Sequence, residues 1–280
     1  MNAQPASVPV RRWTAGEFKP VDADVVAVEE PMELRVSDRS VAVLMRTPGS
    51  HDRELAAGFL LTEGVIRNAD DLLDIVLCRD QDGGTSGNVV NVLTSPTAPV
   101  DFERLTRHVF SSSSCGVCGK ATLDAVLQAF SPAQPGPLFD PAMLAGLPAR
   151  LREAQPCFES TGGLHGCALF NQKGELEIVR EDVGRHNAVD KVLGRALLDG
   201  RLPLRTHGLL LSGRISFELV QKALAAGVPF VAGIGAPSSL AIECAMRGEL
   251  TVIGFLRADR FNCYAGHDRL ARVDTRRLEA

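Results

Sequence analysis

The sequence predicts an α/β protein with a smaller α+β part at its N-terminal end. From about residue 160 onward, short apolar runs alternate with helical patterns of about ten residues, the signature of βαβ crossovers. Before that point, a hairpin-like alternation, a helix and a further strand follow one another without such a rhythm. A chain of 280 residues, 45% of them hydrophobic, can bury a full core as one large domain or two modest ones. The reading divides it into a small α+β domain over residues 20–110 and an α/β domain over residues 111–275.

In the N-terminal part, residues 33–46 alternate around Ser37-Asp38-Arg39-Ser40 like a hairpin. Residues 52–62 carry a helical pattern with Leu55 and Phe59 inward, and residues 88–93 suit a strand. The Gly83-Gly84-Thr85-Ser86-Gly87 loop suits a turn or a flexible connector. Ser111 to Ser114 lead into Cys115-Gly116-Val117-Cys118, after which Leu123, Val126, Leu127 and Phe130 fall at helical spacing until Ser131-Pro132. The cysteine pair is thus expected at a helix start. Residues 131–141, with four prolines and a glycine, are expected to form an exposed connection.

The C-terminal series runs strand 167–170, strand 176–180 and helix 186–198, closed by Gly200. It continues with strand 208–211, helix 216–226, strand 229–234, helix 238–247 and strand 250–256. That order predicts a largely parallel sheet covered by helices.

The net charge of -4 argues against broad nucleic-acid binding, which needs a field of Lys and Arg over the phosphates. Residues 1–13 contain Arg11 and Arg12 but no apolar run after them, so no secretory signal is read there. No stretch approaches the roughly 18 apolar residues of a membrane span. The expectation is a cytoplasmic protein that binds neither nucleic acid nor membrane. Seven cysteines, an odd number with one closely spaced pair, argue against a disulfide framework. Isolated ones such as Cys244 suit small core positions.

Free N–H groups at a helix start stabilise a thiolate, so Cys115 and Cys118 suit nucleophilic chemistry. Zinc binding, dithiol redox chemistry and sulfur transfer compete, beside the plain alternative that both thiols are packed. Structural zinc needs two further ligands, and Cys157, His165 and Cys167 match no common spacing. A thioredoxin-like pair should follow a strand directly, whereas this one follows a polar Ser run. Sulfur transfer needs a thiolate to take a sulfane sulfur and a second thiol to help expel it, and both are present.

Polar residues also gather where strands end and helices begin. Arg180-Glu181-Asp182-Val183-Gly184-Arg185-His186-Asn187 is either a capped helix with a solvated charge run or part of a ligand site at strand carboxyl ends. Two turns, Ser212-Gly213-Arg214-Ile215-Ser216 and Gly235-Ala236-Pro237-Ser238-Ser239, could cradle phosphates through glycine, serine and helix N–H groups. Ordinary N-capping by Ser216 and Ser238 is the simpler account of the same residues. Thr161-Gly162-Gly163-Leu164-His165 offers a tight turn and an imidazole.

Taken together, these segments resemble the FdhD family, the accessory sulfurtransferases needed to activate formate dehydrogenase. The resemblance runs through Glu29-Glu30-Pro31, residues 58–64, Ser114-Cys115-Gly116-Val117-Cys118-Gly119, residues 161–165 and residues 180–191. It continues through residues 212–218, 236–241 and Gly254-Phe255-Leu256-Arg257. It implies a persulfide on Cys115, assisted by Cys118, with sulfur supplied by a cysteine desulfurase. The implied acceptor is the molybdenum cofactor in its bis(molybdopterin guanine dinucleotide) form, for which a guanine nucleotide is the expected analogue, destined for formate dehydrogenase. Phe255, Leu256, Arg257, Ala258, Asp259 and Arg260 match the family segment linked to that cofactor. Ser212, Gly213, Arg214, Ser216, Ala236, Ser238, His165, Arg185 and His186 are expected to complete its site.

The resemblance further implies a homodimer, no intrinsic metal, and a three-layer α/β/α C-terminal domain like that of cytidine deaminases. Deaminase chemistry itself would need H-x-E and P-C-x-x-C, and this sequence has neither. The other readings are a nucleotide- or cofactor-binding chaperone without covalent sulfur chemistry, and a structural zinc protein.

Overall fold

A computed structural model describes residues 5–272 apart from 50, 79–86, 99, 101–122, 125, 126 and 128. Cys115 and Cys118, Val126, and the glycine loop up to Ser86 lie outside the described residues.

Strands β1 (Ala6–Thr14) and β2 (Glu17–Val26) form a two-stranded antiparallel arm. Ala15 and Gly16 between them both have positive φ, the tight turn that matches the right-handed twist of a hairpin. Next come β3 (Glu30–Val36) and β4 (Arg39–Arg46), turned by Ser37 and Asp38 in the same left-handed conformation. With β5 (Leu72–Cys78) and β6 (Val89–Thr94) they make a four-stranded sheet in the order β4-β3-β6-β5. Alternate residues Met32, Leu34 and Val36 are buried, as are Val90 and Val92. That two-residue period gives the sheet one apolar face, and helix α1 (Asp52–Thr62) packs there.

Three short helices follow: α2 (Pro141–Ala145), α3 (Leu147–Glu153) and α4 (Pro156–Thr161). The C-terminal series is β7 (His165–Phe170), β8 (Leu176–Asp182), α5 (Arg185–Leu198), β9 (Gly208–Leu211) and α6 (Phe217–Ala225). It ends with β10 (Phe230–Gly233), α7 (Ser239–Arg247), β11 (Thr251–Gly254) and β12 (Asn262–Ala265). The six-stranded sheet has the order β12-β11-β10-β9-β7-β8. Its centre, β9-β10-β11, is parallel as expected. The sheet as a whole is mixed, because β7 and β8 are joined by a short turn closed by Gly174 N–H to Asn171 O, which permits only antiparallel pairing.

Strand alternation again sorts the core. Ala168, Phe170, Leu210, Phe230, Ala232 and Ile253 face Phe139 and Leu144, Leu147 and Leu151 of the short helices. Cys167, Leu169, Leu209, Leu211, Val231 and Val252 face the apolar sides of α5, α6 and α7. Helices thus cover both faces, giving an α/β/α layering, and one buried cluster continues through α5 and α1 to the four-stranded sheet. Residues 131–141 are mostly exposed, as the prolines suggest, but the connection is pinned to the body at two points. Ala133 and Phe139 are buried, Phe139 sits 4.5 Å from the Phe230 ring centroid, and its N–H donates to Arg269 O. Prolines set the turns of this segment, but its aromatic anchor decides where it lies.

Helices α1 and α5 cross in contact. A Cβ on Gly58 would lie 1.8 Å from Asp190 O, and one on Gly194 would lie 1.8 Å from Glu54 O, so only glycine permits this approach.

Candidate functional site

Strands β8, β9, β10 and β11 run in one direction, so their carboxyl ends share one edge of the sheet. His165 opens β7 at that same edge. Here the polar turns picked out in the sequence lie side by side. Gly235 N–H donates to Gly213 O at 3.0 Å, Ile215 N–H to Ala236 O at 3.0 Å, and Ser238 N–H to Ile215 O at 2.9 Å. The two serine turns are therefore a hydrogen-bonded pair that extends the parallel register of β9 and β10. A Cβ at Gly235 would stand 2.7 Å from Gly213 O, which reserves the position for glycine. The segment after β11 joins them, with Phe255 N–H on Gly235 O and Leu256 N–H on Gly233 O.

Ser238 accepts from Ala241 N–H and so caps α7 as its position suggests. Ser216 does not cap α6 with its side chain. Its hydroxyl donates to Glu218 Oε2 at 3.1 Å instead, and His186 Nε2 approaches the same oxygen at 2.9 Å. The His186 hydrogen bond, with Ser216 beside it, holds the half-exposed Glu218 carboxyl down to about 2, so this residue is an anion at the rim.

His165 is half-buried, with Gly213 against its ring. Burial pushes its pKa down, and Arg185, His186 and Arg214 add to that effect against the opposing pull of Asp182. Arg185 Nε is buried and has no hydrogen-bond partner. A buried guanidinium N–H left unpaired is a donor for an incoming anion.

The 255–260 segment divides by role. Phe255 has φ +52°, a strained conformation for an aromatic residue, and its ring is exposed. Leu256 is a core residue. Arg257 turns back to donate to Ile234 O and Leu256 O, locking its own turn to the neighbouring one. Ala258, Asp259 and Arg260 are exposed at the rim.

Asp182 is more than a helix cap. Its fully buried carboxylate accepts Gly184 N–H and Asn187 Nδ2 on one oxygen, and Thr47 N–H and the Lys191 ammonium, at 2.6 Å, on the other. All four acceptor positions are filled, so Asp182 anchors the loop that presents Arg185 and His186. A cavity of about 130 Å³ lies behind it, lined by Thr47, His51, Cys157, Arg180, Glu181 and Lys191 among others. Glu218, Thr47 and Lys191 carry site geometry that the sequence reading gave no role. Only the place of Glu218 in the first turn after Ser216 hints at it.

Burial makes four of the described cysteines poor nucleophiles. Burial pushes the Cys157 thiol up and Glu181 adds to it, burial carries Cys244 to about 11, and Cys167 and Cys263 rise by burial too. Among the described residues, no three His, Cys, Asp or Glu side chains converge as a metal site, and no helix is long and apolar enough to cross a membrane.

Comparison with known proteins places the chain. A Streptomyces avermitilis protein named sulfur carrier protein FdhD is 51% identical over 253 residues, covering 89% of both chains. A Mycolicibacterium paratuberculosis protein of the same name is 50% identical over 251 residues, covering 88% of this chain and 92% of its own. The crystal structure of a Desulfotalea psychrophila protein described as a formate dehydrogenase accessory protein superposes with a TM-score of 0.76. It is 26% identical, and the match covers 96% of this chain and all of that one. The FdhD/NarQ family model matches residues 27–271, and the chain belongs to that family.

Proposed function

We propose that this chain is a cytoplasmic sulfur carrier that serves the maturation of formate dehydrogenase and works as a homodimer. Its Cys115 thiolate attacks the sulfane sulfur of a cysteine desulfurase persulfide. The S–S bond of the donor breaks, the donor cysteine leaves as thiolate, and Cys115 becomes the persulfide; no net oxidation occurs. With the acceptor bound, the Cys118 thiolate attacks the inner sulfur of the Cys115 persulfide; the outer sulfur leaves as hydrosulfide to the acceptor, and the resulting Cys115–Cys118 disulfide is reduced by a dithiol reductant before another round. The acceptor is the bis(molybdopterin guanine dinucleotide) molybdenum cofactor before its insertion into the enzyme.

The observation that carries this reading is the carboxyl-edge cluster. Its paired glycine-serine turns, one of which carries Arg214, and the unpartnered Arg185 Nε suit the phosphates of a dinucleotide. Exposed Phe255 offers a planar apolar surface at the rim, and Arg260 a rim cation. The names of the relatives support the sulfur chemistry, and the raised thiols of Cys157, Cys167, Cys244 and Cys263 favour the Cys115–Cys118 pair as carrier.

Incubation with a cysteine desulfurase and cysteine, followed by intact-mass measurement, tests the carrier. Wild type and Cys118→Ala should gain one sulfur atom that a reductant removes, and Cys115→Ala should gain none. A sulfur atom on Cys115→Ala, or none on wild type, refutes the assignment. Titration with GDP tests the cradle, and an Arg214→Ala variant that binds as tightly as wild type removes Arg214 from it.

A further inference from the structure

Glu218 is an anion at an edge that otherwise gathers donors for anions. It lies in the first turn of α6, directly after the turn that ends in Ser216. His186, which bonds it, neighbours Arg185, whose Nε is buried without a partner. Two separate elements hold the carboxylate. Ser216 Oγ donates to Oε2 at 3.1 Å, and His186 Nε2, from the first turn of α5, meets the same oxygen at 2.9 Å. The side chain is still 53% exposed. Both bonds fall on Oε2, and among the described residues Oε1 takes no hydrogen bond.

A glutamate in the first turn of a helix ordinarily serves that helix, through its free N–H groups or its dipole. That role does not require the geometry seen here. Ser216 stands at the N-cap of α6, where a serine hydroxyl normally accepts from a helix N–H, yet its hydroxyl is turned to Glu218 and α6 has no side-chain cap. His186 reaches the same oxygen from another helix. Two polar groups are thus committed to orienting one half-exposed carboxylate, the kind of support a recognition group needs. An anion fixed beside a phosphate cradle repels the phosphates themselves. Its counterpart is therefore a part of the ligand that carries hydrogen-bond donors and no negative charge.

We infer that Glu218 is a specificity-determining residue: its free oxygen accepts from neutral O–H or N–H donors on the nucleoside part of the ligand, while the glycine-serine turns and Arg185 take the phosphates. A guanine nucleotide presents such donors as neighbouring pairs in two places, the ribose diol and the ring N–H with the exocyclic amino group of the base. Either pair suits an acceptor-only carboxylate. A ligand made of phosphate alone has neither, and Glu218 opposes it. This inference rests on the nucleotide reading above and names the group that reads the nucleoside.

Titration calorimetry on the full chain, with GDP and with inorganic pyrophosphate, tests it in wild type and Glu218→Ala. The side chain lies outside the core, and circular dichroism checks that the variant stays folded. Glu218→Ala should bind GDP about 10- to 100-fold more weakly, the usual weight of a hydrogen bond to a charged group. It should bind pyrophosphate at least as tightly as wild type does, because an anion has been removed from beside the phosphates. Two analogues identify the donor pair: ADP, whose base lacks it, and dideoxy-GDP, which lacks the ribose diol. Wild type should bind at least one of them more weakly than GDP, and Glu218→Ala should not make that distinction. A variant that binds GDP as wild type does, that loses GDP and pyrophosphate alike, or that still distinguishes the analogues overturns the role of Glu218 alone. So does a wild type that binds both analogues as tightly as GDP. A wild type that binds neither GDP nor pyrophosphate overturns the nucleotide reading, and this inference with it.

Discussion

Replacing Glu54 by Gln should cost stability in a way that depends on pH. Glu54 lies on α1 with its side chain almost wholly buried, and it takes two hydrogen bonds from Arg180, at 2.5 and 2.8 Å, and an ion pair from His51 at 3.2 Å. Burial alone would raise its pKa, but Arg180 and His51 hold it at about 2, against an ordinary value of 4.5. A depressed carboxylate stabilises the fold above its unfolded pKa, and that stabilisation drains away as pH falls toward the folded value. At 1.36 kcal/mol per pKa unit this amounts to about 3 kcal/mol at pH 7 and roughly 2 kcal/mol at pH 3.5. Breaking one side of a buried ion pair costs about 3–5 kcal/mol, the same interaction measured from the arginine side, so the two figures agree rather than add. Urea unfolding of Glu54→Gln against wild type at both pH values should give a gap of about 3 kcal/mol that narrows by about 1 kcal/mol on acidification. A gap under about 1 kcal/mol at pH 7, or one that does not change with pH, would mean that Glu54 and Arg180 do not hold each other as described.

Gly194→Ala should cost at least about 1–3 kcal/mol, because the new methyl meets Glu54 O and the α1–α5 crossing must open; unchanged thermal stability would contradict that contact. The His165 imidazole should titrate below 6.5 in an NMR pH series, and its midpoint should rise when GDP is added, since an anion favours imidazolium. A midpoint at or above 6.5 in the free protein would refute a half-buried His165 whose charged form is disfavoured by its surroundings. Iodoacetamide at pH 7.5 should leave Cys167 and Cys244 unmodified in the native chain and label them once urea unfolds it; labelling of either in the folded protein would refute their burial.

The α/β half was legible because its signals are local. Gly208–Leu211 matches the expected strand at both ends, as Asp52–Thr62 does the helix, and the remaining boundaries move by only a few residues. Apolar runs of four, cut by glycine and followed by a helical period, admit few other readings. The arm was not legible. Its apolar alternation is confined to Ala6, Val8 and Val10, and beyond them Arg11, Arg12 and the exposed tip break the pattern. The direction of β7 was missed for another reason: strand patterns carry no sense of direction, and only the short Asn171–Gly174 turn forces the reversal. At the edge site, the glycine and serine turns were visible one at a time, but their mutual hydrogen bonds join residues more than twenty apart. The filled carboxylate of Asp182 is held partly by Thr47, 135 residues away, a partnership that no local pattern encodes.

That partnership ties the four-stranded sheet to the candidate site at the carboxyl edge of the other sheet. Thr47 follows β4 directly, and its backbone and hydroxyl hold Asp182, Val183 and Lys191 at distances of 3.1 to 3.2 Å. Met45 O takes the other side of the same loop through Asn187. The loop that presents Arg185 and His186 is therefore fastened from the N-terminal part as well as by its own helix. The Thr47 hydroxyl, which accepts from Val183 N–H, is the contact most easily removed without disturbing the backbone. Thr47→Ala should therefore loosen the loop and weaken GDP binding by about tenfold, the equivalent of roughly 1.4 kcal/mol for one lost hydrogen bond. Unchanged GDP affinity in Thr47→Ala would show that the four-stranded sheet does not position the loop.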